Sequence, residues 1–328
     1  MTEHTSRRDF FKRSLSLTTG AAAVSGSFEE ANLMARGVLQ DEKIVTSASK
    51  LPFEYATIED LKEQIPAAKI KNMSLSRVFL GGNLMGGWAH ARDLLYASKL
   101  VQAYHTKSKI WDTLHIAEQC GVNTLLTNPK LCQVINEYWD KSYGKIHFIS
   151  DCGGGDILTG IKTSIDHGAT ACYLHGGRSD NLAKKGQWDL MAQALELIKS
   201  NGLPAGIGAH SIDTVKGAVA HGLEPDFWMK TLHSHDYWSA QHPRRKNSKW
   251  CYDPGETIAY MQDRKEPWIA FKTLAAGALH PKDAFRWCFE SGADFLCVGM
   301  YDFQLVEDIN IACDVLSSEI KRVRPWRA

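Results

Sequence analysis

Six residues with acid, base or ligand chemistry stand where an alternating strand–helix chain would end its strands: Asp151, His175, His210, Lys230, His233 and Lys272. Lys230 lies in Trp-Met-Lys-Thr and Lys272 in Ala-Phe-Lys-Thr. A lysine held among apolar strand residues is costly unless paired or used. Burial also makes it less basic, so it can serve as base or nucleophile near neutral pH. Three mechanisms use this set. In the first, a lysine attacks a carbonyl and forms a Schiff base while Asp151 or a histidine moves protons. In the second, Asp151, His175, His210 and His233 bind a divalent metal that polarises a hydroxyl or carbonyl. In the third, Lys272 and the histidines form an acid–base set with neither metal nor covalent intermediate. The expected catalytic residues are His175, His210, Lys272, Lys230 and Asp151. His175, His210 and Lys272 are expected to project into one pocket, with Asp151 beside them.

Eight short, mostly apolar runs must position these groups. They span 77–82, 123–128, 146–151, 169–175, 204–210, 226–233, 268–274 and 295–300, the pattern of buried parallel strands. Between them lie amphipathic helical stretches. Trp188, Met191, Leu195 and Ile198 share one face; Val306, Ile309, Cys313, Leu316 and Ile320 share another. Ser211 suits a helix N-cap and Pro281 a first turn. Eight β-α units in about 250 residues predict an α/β fold, a single (β/α)8 TIM barrel. The expected organisation is a signal region over 1–27, a pre-barrel segment over 28–72 with helices at Phe28–Leu39 and Ile58–Ile65, the barrel over 73–322, and a short tail over 323–328.

Two connections are long enough to be lids or binding loops. Gly81–Thr106 follows the first strand and His235–Pro254 the sixth. Both leave the strand ends where barrels keep their sites. Trp88 and Trp238 on these loops, with Asn83, Asn128 and Tyr301, form the expected substrate-binding set. Aromatic loops with polar strand ends favour a small polyhydroxylated or keto compound. Gly153-Gly154-Gly155 could cradle a phosphate at a helix N-terminus, but a turn is the better reading.

The chain's 328 residues carry 38 Lys+Arg against 37 Asp+Glu. That balance excludes an ordinary nucleic-acid binder. With 44% hydrophobic and 23% charged residues it reads as neither disordered nor a membrane protein. Ser6-Arg7-Arg8-Asp9-Phe10-Phe11-Lys12, followed by the mildly apolar run Leu15–Val24, looks like a twin-arginine export signal. That run is too short for a stable membrane span. The expected partners are therefore a small-molecule substrate and the twin-arginine export machinery, and the expected location is the periplasm, or otherwise outside the cytoplasm, of a bacterium. Chains exported this way fold before export, which suits eight cysteines without a C-x-x-C pair, read as buried thiols.

SRVFLGGNLMGG, AEQCGVNTLLTN, TACYLHGG, AFKTLAAGAL and VGMYDFQLVEDINIA follow one another in an order that resembles the aldo/keto reductase superfamily over about residues 77–316. Within it, GGNLMGGWAHARD and the HGG block are similar to a divergent group of exported bacterial proteins. The resemblance implies a barrel with a catalytic Asp, Tyr, Lys and His. Only the His is matched, as His175; the Asp position falls on Leu126 and the Lys position on Asp151, and PKLCQVINEYW lacks the Tyr-Gly. NADP is accordingly not expected, and a divalent metal is the cofactor of one reading only. KTLAAGALHPKDAFRWCFESGADF loosely resembles class I aldolases. The favoured function is proton-transfer chemistry of lyase, aldolase or isomerase type. An NADP-dependent reductase and a non-catalytic envelope binding protein are the alternatives.

Overall fold

Side chains alternate along a strand, so each short strand of this protein sends one set of residues inward and the other toward a helical layer. The computed structural model describes residues 56–89, 91, 94–241 and 250–328, with two isolated strands before them. Those strands, β1 (Ile44–Val45) and β2 (Pro52–Phe53), pair antiparallel in a unit spanning Met1–Tyr55. The second unit is Ala56–Ala328. Arg7, Arg8 and the helix expected at Phe28–Leu39 lie outside the described residues.

An antiparallel hairpin comes first in the second unit, β3 (Ala67–Ile70) with β4 (Met73–Ser76). The barrel strands follow: β5 (Val78–Gly81), β6 (Thr124–Thr127), β7 (His147–Ser150), β8 (Ala171–Leu174), β9 (Ala205–Ala209), β10 (Phe227–Thr231), β11 (Trp268–Phe271) and β12 (Phe295–Val298). They are parallel and close in chain order, with β12 bonded to β5. The α/β barrel fold expected from the sequence is present, and all eight strands fall inside the expected runs. The helices are α1 (Ala97–Tyr104), α2 (Lys107–Gln119), α3 (Cys132–Asp140), α4 (Ile157–Asp166), α5 (Gly176–Lys184), α6 (Trp188–Ser200), α7 (Ile212–Ala220), α8 (Pro254–Met261), α9 (Pro281–Glu290) and α10 (Leu305–Ser317). No helix among the described residues is long and apolar enough to cross a membrane.

Two cores result. Phe79, Leu126, Ile149, Tyr173, Phe227, Met229, Ile269 and Phe295 fill the barrel interior. Leu80, Phe148, Leu174, Ile207, Trp228, Leu296 and their neighbours pack outward against the helices. β9 carries Gly206 and Gly208 at its inward positions. A side chain at Gly206 would collide with the ring of Phe227, and one at Gly208 would press on Tyr173. Small residues on one strand thus make room for aromatic rings from its neighbours, the size complementarity that close packing requires.

The segments flanking the barrel are built in. The helix expected at Ile58–Ile65 is only a 3-10 turn, Ile58–Asp60. Leu75 and Ile70 of the hairpin are fully buried in the interior core, because the hairpin closes the barrel's N-terminal end with the apolar face that an alternating strand supplies. The expected tail at 323–328 is docked as well. Arg322 (Nη2, 3.2 Å) and Arg324 both pair with Asp294, whose carboxylate also accepts the backbone N–H of Trp268 at 2.9 Å and of Arg327 at 2.9 Å. All three charged side chains are buried. Removing one partner of a buried ion pair leaves a charge without compensation. Arg324→Met is therefore expected to lower unfolding stability by about 3 kcal/mol, measured by urea denaturation; a change within 0.5 kcal/mol, roughly that of an ordinary surface substitution, would contradict this anchoring role.

Candidate active site

At the C-terminal mouth the strand ends surround one cavity of about 870 Å³. Asp151, His175, His210 and Lys272 all line it. Each is the residue directly after a strand: β7, β8, β9 and β11 in turn.

Asp151 is held by its own loop. Its Oδ1 accepts the N–H of Gly153 at 2.7 Å and Nδ2 of Asn128 at 2.9 Å. Cys152, at φ 50°, and Gly154, at φ 101°, turn the chain around the carboxylate. A side chain at Gly153 would strike Asn128. The glycine triplet is thus a turn wrapped on Asp151. The helix N-terminus behind it is already capped, since Asp156 accepts from Leu158 and Thr159 at 3.0 and 3.1 Å; that acidic cap opposes a phosphate. Burial raises the Asp151 carboxyl above its usual range, against the pull of His175. Burial also lowers His175, while Asp151 pulls it back up and His210, Arg178 and Lys272 press it further down. Burial therefore favours the neutral form of both neighbours.

His210 has a dedicated partner that sequence reasoning missed. Asp180 on α5 accepts from Nδ1 of His210 at 2.9 Å and from its backbone N–H at 3.0 Å. Asp180 also accepts from Thr214 Oγ1 at 2.7 Å. Burial pushes the Asp180 carboxyl up, but the bonds from His210 and Thr214 outweigh it and hold the group below its usual value. With Nδ1–H directed at Asp180, Nε2 of His210 is left as an acceptor. The only linear signal for Asp180 is its position five residues into the HGGRSD run, on the helix that starts at His175.

Lys272 was expected inside a strand. β11 ends at Phe271, and Lys272 follows with φ 58°, a left-handed conformation that is strained for a side chain of this size. Ala275 and Ala276 after it are also left-handed, at φ 47° and 56°. Such clusters of strain occur where a site over-determines its backbone. Burial lowers the ammonium to about 8. Its Nζ lies 4.6 Å from the ring centroid of Trp250. That contact favours the cation, so burial is the stronger influence.

Tyr173 also lines the cavity, as an inward residue of β8 with its phenol kept protonated by burial and by nearby Asp151. Strand alternation would have found it, because Cys172 and Leu174 face the helices. Thr127 and Thr273 line the cavity too, each with a buried hydroxyl oxygen lacking a hydrogen-bond partner.

Two of the expected catalytic or metal residues lie elsewhere. Lys230 shares the outward parity of Trp228 on β10. Its Nζ donates to Thr231 O at 3.0 Å and Thr231 Oγ1 at 2.9 Å. Alternation from inward Phe227 and Met229 puts Lys230 on the helix side, and it does not line the cavity. His233 is fully buried. Its Nδ1 bonds Ser234 O at 2.9 Å and its Nε2 accepts from Trp250 and Cys251 N–H at 3.2 and 3.1 Å. Both ring nitrogens are thus engaged and unavailable to a metal. Among the described residues no three His, Cys, Asp or Glu side chains are grouped to hold a metal ion. The expected metal quartet of Asp151, His175, His210 and His233 is therefore not assembled.

Of the expected substrate set, Asn83, Trp88, Asn128 and Tyr301 line the cavity. Trp238 does not, and is 80% exposed. Trp250, on the same loop and not singled out from the sequence, takes the place beside Lys272. Asn128 is engaged in positioning Asp151 and in capping the turn Pro129–Leu131, where it accepts from Lys130 N–H at 3.1 Å. All eight cysteines are free and buried, as expected.

No family model and no curated protein matches the chain. Solved structures do. One assigned as an aldo-keto reductase from Pseudomonas aeruginosa aligns with a TM-score of 0.56 at 16% identity, covering 78% of this chain and 99% of that one. The chain shares the (β/α)8 barrel fold of that structure. A second structure so assigned from the same organism gives a TM-score of 0.55 at 15% identity, covering 79% and 99%. A phospho-2-dehydro-3-deoxyheptonate aldolase from Thermotoga maritima gives 0.49 at 12%, covering 77% and 74%. At these identities the likeness is one of fold.

Lys272 should weaken the fold that holds it. Its folded value near 8 lies below the roughly 10.4 of an unfolded lysine. Between those values the unfolded chain binds more protons, so stability rises with pH through that window; below about pH 8 the destabilisation is fully present. Lys272→Met is expected to raise stability at pH 7 by on the order of 2 kcal/mol, with the gain vanishing above pH 10.5, about the ordinary lysine value. Urea denaturation at both pH values checks it, and an equal effect at the two would contradict it.

Proposed function

We propose that this protein is an enzyme acting on a small hydroxy- or keto-compound of carbohydrate-like chemistry, by proton transfer of the lyase, aldolase or isomerase kind. One observation carries the reading: an amine brought down to about 8 by burial shares a cavity with a carboxylate-oriented imidazole. At pH 7 about a tenth of such lysines is uncharged, enough to act as a nucleophile.

Lys272 Nζ adds to the substrate carbonyl carbon, forming a C–N bond. The carbonyl oxygen takes up two protons, one from the attacking nitrogen and one from a neighbouring acid, and departs as water, leaving an iminium. That cation accepts an electron pair and becomes an enamine, either as the neighbouring C–H loses its proton, or as the C–C bond beyond it breaks while a hydroxyl on the far carbon loses its proton and becomes a carbonyl. His210 Nε2 takes this proton, and Asp180 stabilises the imidazolium that forms. The Tyr173 phenol, and the Asp151 carboxyl that burial shifts toward its protonated form, are donors suited to the carbonyl oxygen. The His210 imidazolium returns a proton to the enamine carbon and restores the iminium; water adds to it, and the C–N bond breaks to release a carbonyl product and the Lys272 amine.

The competing reductase reading meets a chemical objection. A hydride acceptor needs its developing alkoxide protonated by a tyrosine with a nearby lysine. Leu126 and Asp151 occupy the Asp and Lys positions that the resemblance implies, so the reductase arrangement is missing at those positions. An envelope binding protein would have no use for a strained, buried lysine.

Borohydride reduction in the presence of dihydroxyacetone is expected to leave one adduct on the Lys272 peptide, absent from Lys272→Met. With such a substrate, kcat/KM should rise from pH 6 to a plateau above about 8. Asp180→Asn should cost about 10²-fold in turnover, the scale of an acid–base group. Adduct yield unchanged in Lys272→Met, or stoichiometric NADPH oxidation with an aldehyde, would overturn the reading.

We further propose export through the twin-arginine route, supported by the Arg7-Arg8 pair and the mildly apolar run after it. Arg7→Lys with Arg8→Lys should retain the protein in the cytoplasm on fractionation; normal periplasmic levels of the double variant would contradict it.

A further inference from the structure

The long connection after β5 presents an apolar stripe to solvent. Leu94 is 47% exposed, Tyr96 58% and Leu100 60%. Leu95 beside them is 93% exposed. Tyr96 and Leu100 are four residues apart and so share one face at the start of α1. Soluble proteins seldom leave a contiguous patch of this kind without a use.

The stripe is not separate from the cavity. Leu94, Tyr96 and Leu100 line it, together with Leu84, Phe271 and Val298. Asp151, His175, His210 and Lys272 form a floor at the strand ends, beside Phe271 and Val298, whereas Leu94, Tyr96 and Leu100 belong to the connection after β5 and form an apolar exit. Its 870 Å³ is near the upper end of the roughly 300–1,000 Å³ that drug-sized ligands occupy. A head small enough to touch Asp151, His210 and Lys272 together fills only part of that space.

We propose that the substrate is an amphiphile: an oxygenated head on the polar floor, and an aliphatic tail that leaves along Leu94, Tyr96 and Leu100. The inference rests on the functional reading above for the head, and on the cavity lining alone for the tail. A flat partner, whether a second copy or a bilayer, would cover the stripe without using the cavity that these same residues line. A tail rising from the floor uses both.

The test is a chain-length series on the full chain. Dissociation constants are measured by calorimetry for 1-hydroxy-2-alkanones and for 1-alkanols from four to ten carbons. Each added methylene is expected to tighten binding by about twofold to fourfold, the gain from partial to full burial of a CH₂. Leu94→Ser with Leu100→Ser should flatten the series. Both residues are largely solvent-facing, so the fold should survive, and the double variant's melting temperature confirms that it has.

A slope for alkanols with no advantage for hydroxyalkanones would sink the head chemistry and keep the tail. Three results would overturn the tail itself. One is a flat series for both classes. The second is a slope that the double variant leaves intact. The third is a flat series together with concentration-dependent self-association, or flotation with anionic phospholipid vesicles, that the double variant abolishes.

Discussion

The low-dielectric burial of the Lys272 ammonium is the interaction on which the site depends. Lysine in water holds its proton across the physiological range and is then neither base nor nucleophile. Here the residue sits one position past β11, in a left-handed conformation, beneath the ring of Trp250. No carboxylate is paired with it among the described ion pairs. A carboxylate there would restore an ordinary value and remove the chemistry. The neighbouring acids are committed elsewhere: Asp180 to His210, Asp151 to Asn128 and the Gly153 amide. The site therefore separates its charges by giving each acid its own hydrogen-bond donors.

That separation needs a barrel that does not yield. At its core, β9 gives up two side chains so that Phe227 and Tyr173 can cross the interior. At the N-terminal end, the hairpin β3–β4 and the Asp294–Arg322–Arg324 cluster close the bottom. Strain at Lys272, Ala275 and Ala276 can be held only because the rest of the fold is over-determined. The proposed site thus sits at one end of the barrel and the closing ion-pair cluster at the other, the usual division in this architecture.

The fold is legible in the sequence, because eight apolar runs with amphipathic helices between them have few other solutions. Asp151, His175, His210 and Lys272 were legible for a related reason: polar residues directly after buried strands must meet at the rim. Lys230 misled because its residue type was weighed without its parity. Two positions from Trp228 it must face the helices, just as Met229 must face the cavity. His233 misled because nothing in a linear sequence shows that Trp250 and Cys251, seventeen and eighteen residues on, donate to its ring. Trp238 and Trp250 are equivalent as letters in one loop, and only the path of that loop puts the second over Lys272.

The sequence by itself thus determined the architecture, the strand order and which residue types reach the mouth, since these follow from hydrophobic period and connection length. Tertiary structure decided which polar groups are partnered. Asp180 and His210 are thirty residues apart, and their pairing requires α5 to pack back against β9. Burial lowers both Lys230 and Lys272, and the same packing settles which of them faces the cavity and which lies behind the barrel wall. Ionisation depends on distances of a few ångströms between groups remote in the chain, and no local pattern of residues encodes those distances.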